Sequence, residues 1–280
     1  MTDFVRYLRC PHCGAPLARS AGSARCANGH SFDIARQGYI NLLPGNARTG
    51  TADTPEMVAH REAFLAAGHF DPLGERVAEE AERVLASDPG PCVLELGAGT
   101  GWYLVRVLDR VSAATGLALD LSKPALRRAA RAHPRVGAVG CDAWGPLPVR
   151  DGVAALALSV FAPRGAGELA RVLRPEGALV VVTPASDHLA EVVAALDLLQ
   201  VDARKEERLA DQLDPHFALE RRSDLTWSLR LGHGDSLNAA LMGPSAPHLD
   251  RASLDGRVRA LPEPFAVTAA VTIGVYRRRG

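Results

Sequence analysis

From residue 91 onward, short and wholly apolar runs alternate with amphipathic ones. "CVLELG", "ATGLALD" and "RVGAVGCD" read as buried strands, with "WYLVRVLDRV" and "SKPALRRAARAH" as helices between them. "GVAALALSVF" and "GALVVVTP" supply two more strands, and "GAGELARVLRPE" is the helix that joins them. Strands with no polar face belong inside a sheet covered on both sides, so a parallel α/β sheet is predicted. "LERRSDLTWSLRL" and "FAVTAAVTIGVYRR" are late strands separated by a helix near "GDSLNAALM", and could close the sheet as an antiparallel pair.

Upstream the period changes. Thr54 followed by Pro55 is an N-cap and first helical residue, and the helix runs to Gly68. Asp71 and Pro72 repeat the device for a second helix ending near Leu85. Residues 45 to 54, "GNARTGTADT", are small and polar and read as a linker. Residues 186 to 220 read as helix and irregular insertion, and the charge run "DARKEERLADQ" as a solvated helical face.

The chain has 280 residues, enough for an α/β domain with a small accessory unit. Thirty-two Lys and Arg balance thirty-two Asp and Glu, so global basicity does not advertise nucleic acid. Residues 1 to 54 differ, with six arginines against three aspartates, a surplus of three positive charges. No apolar signal core opens the chain and no apolar run is long enough to span a bilayer, so no membrane partner and a cytoplasmic location are expected.

Three of the five cysteines lie in that electropositive end. Cys10 and Cys13 form a Cys-x2-Cys pair, and Cys26 and His30 a Cys-x3-His pair. Three thiolates and an imidazole close a tetrahedron and leave no position for water, which is the arrangement of a structural zinc. His12, inside the first turn, is the rival fourth ligand, but a residue between two such cysteines normally points away from the ion. Cys92 and Cys141 read as small core residues.

"VLELGAGTG" ends the first strand of the series with glycines at alternate positions, Gly97, Gly99 and Gly101. Such a loop brings backbone N–H groups against a ligand at the next helix's N-terminus. Glu95 would repel a pyrophosphate and suits a cationic amino-acid ligand instead, which points to S-adenosylmethionine. Asp120 ends the second strand, placed for ribose hydroxyls, and Asp142 closes the third, placed for the adenine amino group. With Thr100 these form the cofactor set. The expected fold is a Rossmann-like class I S-adenosylmethionine-dependent methyltransferase with a small zinc-binding domain in front. Its expected bounds are 1–45 for the zinc module, 46–90 for linker and helices, and 91–280 for the methyltransferase domain.

The knuckle, "FDIARQGYINLLP", "EMVAHREAFLAAGHFDPL" and the glycine loop together resemble the RrmA-type 23S rRNA (guanine-N1)-methyltransferase family over nearly the whole chain. The resemblance implies zinc on Cys10, Cys13, Cys26 and His30. It also implies cofactor contacts from Phe70, where relatives often carry tyrosine, and from His188. In "SVFAPR", Ala162 and Pro163 match an Ala-Pro pair of the family's substrate wall. It further implies a homodimer, a domain II tunnel-lining hairpin of 23S rRNA as partner, and resistance to macrolides such as tylosin. The methyl would go to N1 of a guanosine at about nucleotide 748, a base that must be unpaired or flipped out to be reached.

Arg9, Arg19, Arg25 and Arg36 are the expected phosphate contacts. Two other readings compete: a small-molecule methyltransferase with the knuckle as a lid, and a noncatalytic ribosome-binding module.

Overall fold

The structure is a computed structural model and describes residues 3–47, 49–50, 52–198 and 205–279. The charge run at 202–212 therefore lies partly outside the described residues, as do positions 48 and 51 of the linker.

After a 3-10 turn at Phe4–Tyr7, strands β1 (Leu17–Ser20), β2 (Ser23–Cys26) and β3 (Ser31–Asp33) form a small antiparallel sheet. The two-residue strand β4 (Ile40–Asn41) leaves that module and joins the large sheet. Helices α1 (Pro55–Ala66) and α2 (Asp71–Leu85) follow. Then come β5 (Cys92–Leu96), α3 (Trp102–Arg110), β6 (Thr115–Asp120), α4 (Lys123–Ala132), β7 (Val136–Gly140), β8 (Ala154–Val160), α5 (Ala166–Val172) and β9 (Leu173–Pro184). The remainder is α6 (Ala190–Leu196), α7 (Lys205–Leu213), β10 (Phe217–Leu231), α8 (His233–Leu241), α9 (Arg251–Arg259) and β11 (Phe265–Arg278).

The large sheet runs β10-β11-β9-β8-β5-β6-β7-β4, parallel from β9 to β4 and antiparallel where β11 joins β9 and β10. The predicted starts of α1 and α4 hold, whereas α2 begins one residue early, at Asp71 itself, with Phe70 at the N-cap and no side-chain cap. Thr54 accepts from the Met57 N–H at 3.2 Å, and Ser122 caps α4 by accepting from the Ala125 N–H at 3.3 Å. The helix expected through "LRPE" stops at Val172 instead, and the chain passes straight into β9. Pro175 has no N–H to continue helical bonding.

Alternation along the strands divides the core. Val93 and Ala118 face the side covered by α1 to α4, with Phe64, Leu73, Val77, Leu104 and Leu126. Leu94, Leu96, Leu117 and Leu119 face the other side. There the crossover from β7 to β8, residues 141–153, carries no helix. Its place is taken by the chain's own beginning: Phe4, Val5 and Leu8 are buried against Leu117, Leu119 and Val139.

Backbone bonds stitch this roof down. Arg9 N–H donates to Pro148 O at 3.1 Å and Arg150 N–H to Tyr7 O at 2.9 Å, with Leu8 bridged to Val149. Arg9 adds an ion pair to Asp151 at 3.4 Å and lies 3.8 Å from Glu168. Among the described residues, no helix is long and apolar enough to cross a membrane.

Candidate metal centre and cofactor cleft

Tight turns bring the knuckle together. Gly14 and Gly29 take left-handed φ values of 73° and 85° just after Cys13 and just before His30. The ligand atoms of Cys10, Cys13, Cys26 and His30 lie within 4.8 Å of one another. Cys13 Sγ is 3.7 Å from Cys26 Sγ, and His30 Nδ1 is 3.5 Å from Cys10 Sγ and 3.4 Å from Cys26 Sγ. A tetrahedral zinc with bonds of about 2.3 Å to sulfur and about 2.1 Å to nitrogen sets neighbouring ligand atoms roughly 3.5–3.8 Å apart. The donor set and its spacing fit that ion, with Nδ1 as the imidazole donor. Backbone hydrogen bonding from Ala15 holds the exposed Cys13 thiol down to about 6, toward the thiolate a metal needs. His12, exposed, stacks on Phe32 with ring centres 5.7 Å apart and stands outside the cluster.

Across the sheet, the loop after β5 turns through Gly97, Gly99 and Gly101 at φ 60°, 55° and 79°. A Cβ on Gly97 would lie 2.7 Å from Ala162 Cβ, so only glycine lets this loop meet the end of β8. Asp120 closes the loop from β6: its Oδ2 accepts from the Gly99 N–H at 2.8 Å and its Oδ1 from the Ser122 N–H at 2.7 Å. Each oxygen keeps a second acceptor site, which suits ribose hydroxyls. Asp142 lies two residues beyond β7 and accepts from the Trp144 N–H at 2.9 Å, placing Trp144, 66% exposed, at the rim. Thr100 sits in the same loop, half-buried.

Glu95 is buried under this loop rather than facing out of it. Its Oε2 accepts from the Leu104 N–H at 3.2 Å, in the first turn of α3, where the helix dipole favours a carboxylate. Burial nevertheless pushes its pKa up to about 8, with the Asp120 charge acting in the same direction.

Phe70 and His188 meet, although 118 positions apart, with ring centres separated by 5.9 Å. Phe70 is buried and also packs edge-on against Trp227 at 5.5 Å. His188 Nδ1 accepts from the Ala270 N–H at 3.2 Å. Sequence reasoning passed over three neighbours of this cleft. Trp227, on β10, is brought in by long-range pairing with β11 and has no local signal. Arg61, on α1, reaches over the glycine loop, pairs with Asp53 and donates to Met242 O at 2.6 Å. Phe161, inside the quoted wall "SVFAPR", carries a left-handed φ of 53°. Of the four arginines expected on phosphate, Arg19, Arg25 and Arg36 are exposed, whereas Arg9 is engaged with Asp151.

The comparisons with known proteins agree with both halves. The zinc-ribbon family described as RlmA, N-terminal, matches residues 8–50, and the family described as Methyltransferase domain matches residues 93–177. A 23S rRNA (guanine(748)-N(1))-methyltransferase from Streptomyces fradiae is 52% identical over 98% of this chain and 98% of its own. A chain from Micromonospora griseorubida, provisionally named a 23S rRNA (guanine-N(1)-)-methyltransferase, is 51% identical with the same coverage. Among solved structures, MccD protein superposes with a TM-score of 0.51 at 14% identity, covering 74% of this chain and 98% of that one, a likeness of fold. The cofactor is S-adenosylmethionine and the metal a structural zinc, and the chain belongs to the 23S rRNA (guanine-N1)-methyltransferase family.

Proposed function

We propose that the chain methylates N1 of a guanosine in the domain II tunnel-lining hairpin of 23S rRNA, at or near nucleotide 748, and thereby confers resistance to macrolides such as tylosin. The observation that carries this is the 52% identity, end to end, with a Streptomyces fradiae enzyme named for that nucleotide and atom. S-adenosylmethionine supplies an electrophilic methyl group on a sulfonium. In this reading Gly97, Gly99, Thr100 and Gly101 cradle it, Asp120 and Asp142 hold its nucleoside, and Phe70 and His188 wall its reactive end. Glu95 supports the loop from beneath. Cys10, Cys13, Cys26 and His30 hold the zinc.

The chain's task is then geometric. Guanine N1 lies on the pairing edge, so the base must leave its stack and be held in line with the C–S bond. Bound there, S-adenosylmethionine would supply the methyl that N1 takes up, its sulfonium becoming a thioether, and N1 would give up its proton. The ribbon, with Arg25 and Arg36 exposed, holds the hairpin's backbone. The protein acts in the cytoplasm as a homodimer, a reading that rests on the family resemblance and is checked by light scattering.

The test is primer extension on unmodified 23S rRNA incubated with protein and S-adenosylmethionine. A methyl on N1 blocks pairing, so a cofactor-dependent stop one nucleotide before the target is expected. Full read-through with cofactor binding intact would discard this target and leave a small-molecule substrate.

A further inference from the structure

Phe161 stands where β8 ends, at the carboxyl edge of the parallel sheet, the edge at which α/β folds bind their ligands. Its φ of 53° lies in the left-handed region, which a bulky aromatic residue rarely adopts without a structural cause. The turn is held there by several bonds. The Phe161 N–H donates to Val182 O at 3.1 Å. Arg164, buried, donates to Ser159 Oγ at 3.0 Å and to Ala162 O at 2.9 Å. Burying a guanidinium to fix one turn is a costly device if the turn only fills the core.

The conformation sets where the ring goes. Phe161 remains half-buried at the cleft, with its ring centre 5.4 Å from His188 and 6.3 Å from Phe70. The next residue, Ala162, meets Gly97 of the cofactor loop. A half-buried aromatic ring thus stands beside the cofactor loop, in contact with two further rings. Aromatic faces of this kind are what enzymes stack an extruded base upon.

We infer that Phe161 is the platform on which the target guanine stacks during transfer, making it a substrate-positioning residue distinct from the cofactor set. This deepens the guanine-N1 reading and rests on it. Ring and base form one contact, so deleting either abolishes it.

The experiment compares wild type, Phe161→Ala, Phe161→Leu and Phe161→Trp in the full-length protein. Each is assayed for S-adenosylmethionine affinity by calorimetry and for methylation of a domain II hairpin. Each is also tested for binding the same hairpin with the target nucleotide made abasic. A stacked base is worth about 1–3 kcal/mol, so Phe161→Ala should lower kcat/KM for the hairpin by roughly 5- to 150-fold while cofactor affinity holds. Phe161→Trp should restore most of the loss and Phe161→Leu should not. On the abasic hairpin the binding gap between wild type and Phe161→Ala should close.

Equal loss of cofactor affinity, full rescue by leucine, or a gap that persists on the abasic hairpin would each overturn the platform. If Phe161→Ala fails to fold, the leucine and tryptophan variants alone decide. A wild type that methylates nothing in the hairpin sinks the guanine reading; a wild type that methylates it while Phe161→Ala does so equally well sinks only the platform.

Discussion

Phe4 occupies the space that a side chain on Gly137 would need: an added Cβ would overlap its ring. The contact joins the first turn of the chain to the middle of β7, and closes the sheet face that the helix-free crossover leaves open. Gly137→Ala should therefore lift Phe4, and with it Val5 and Leu8, from the sheet. Overpacking of this kind costs about 1–3 kcal/mol, or a fall of about 2–10 °C in the melting midpoint of a chain this size. Zinc content, read by atomic emission, should not change; an unaltered midpoint would show that the roof yields without strain.

Removing the metal should separate the two halves. Cys26→Ser, or chelation, deletes a ligand from a cluster whose strands bury little apolar surface of their own. Calorimetry should show S-adenosylmethionine binding retained, whereas primer extension on the rRNA should show methylation lost. Loss of cofactor binding in step with zinc would mean that the ribbon shapes the cleft directly.

Glu95 should leave a signature in the pH dependence of stability. Its pKa lies near 8 in the folded chain, against an ordinary value of 4.5, because burial disfavours the charged form. Between those values the unfolded chain has released a proton that the folded one retains. Stability from this group therefore falls as pH rises from about 4.5 to about 8 and then levels off. Glu95→Gln keeps an acceptor for the Leu104 N–H and has no charge to bury. In cofactor-free melts its midpoint should gain on the wild type toward pH 8, and parallel curves would show Glu95 already ionised.

Asp120 accepts from both the Gly99 and Ser122 N–H groups, so Asp120→Ala leaves two donors unpaired at the cleft. A ribose hydroxyl's bond to the charged carboxylate, lost with it, is worth about 1.5–3 kcal/mol. S-adenosylmethionine affinity should fall by about 10- to 100-fold, as titration calorimetry would read. Unchanged affinity would remove Asp120 from the cofactor set.

Much of this was legible because it is local. Thr54-Pro55 and Gly68 bracket α1 by the chemistry of helix ends, and continuous apolar runs mark β5 to β9 because both their faces are covered. The paired spacing of Cys10, Cys13, Cys26 and His30 is legible for the same reason: each pair closes through its own turn. The roof over the second sheet face is not local. Phe4, Val5 and Leu8 are three apolar residues near a terminus, and nothing in their order says that they pack on Leu117 and Val139. Ile40 and Asn41 are likewise too short a run to announce a parallel edge strand on β7. For Glu95 the position was readable, but its bond from the Leu104 N–H depended on where α3 began. Phe161 was hidden because a left-handed turn is ordinarily signalled by glycine or asparagine, and here a bond to Val182 O on β9, with Arg164 bracing the turn from within, imposes it on a ring.

The roof made by residues 4–8 also imposes an order on biosynthesis. The ribbon leaves the ribosome before the sheet and can take up its metal at once, but the surface it must cover does not exist until β7 and the segment at Val149 have emerged. Through that interval Phe4, Val5 and Leu8 stay uncovered on the nascent chain. A piece made before the sheet is thus seated only once β7 and the segment at Val149 are in place, and docking of residues 4–8 becomes a checkpoint on that part of the sheet.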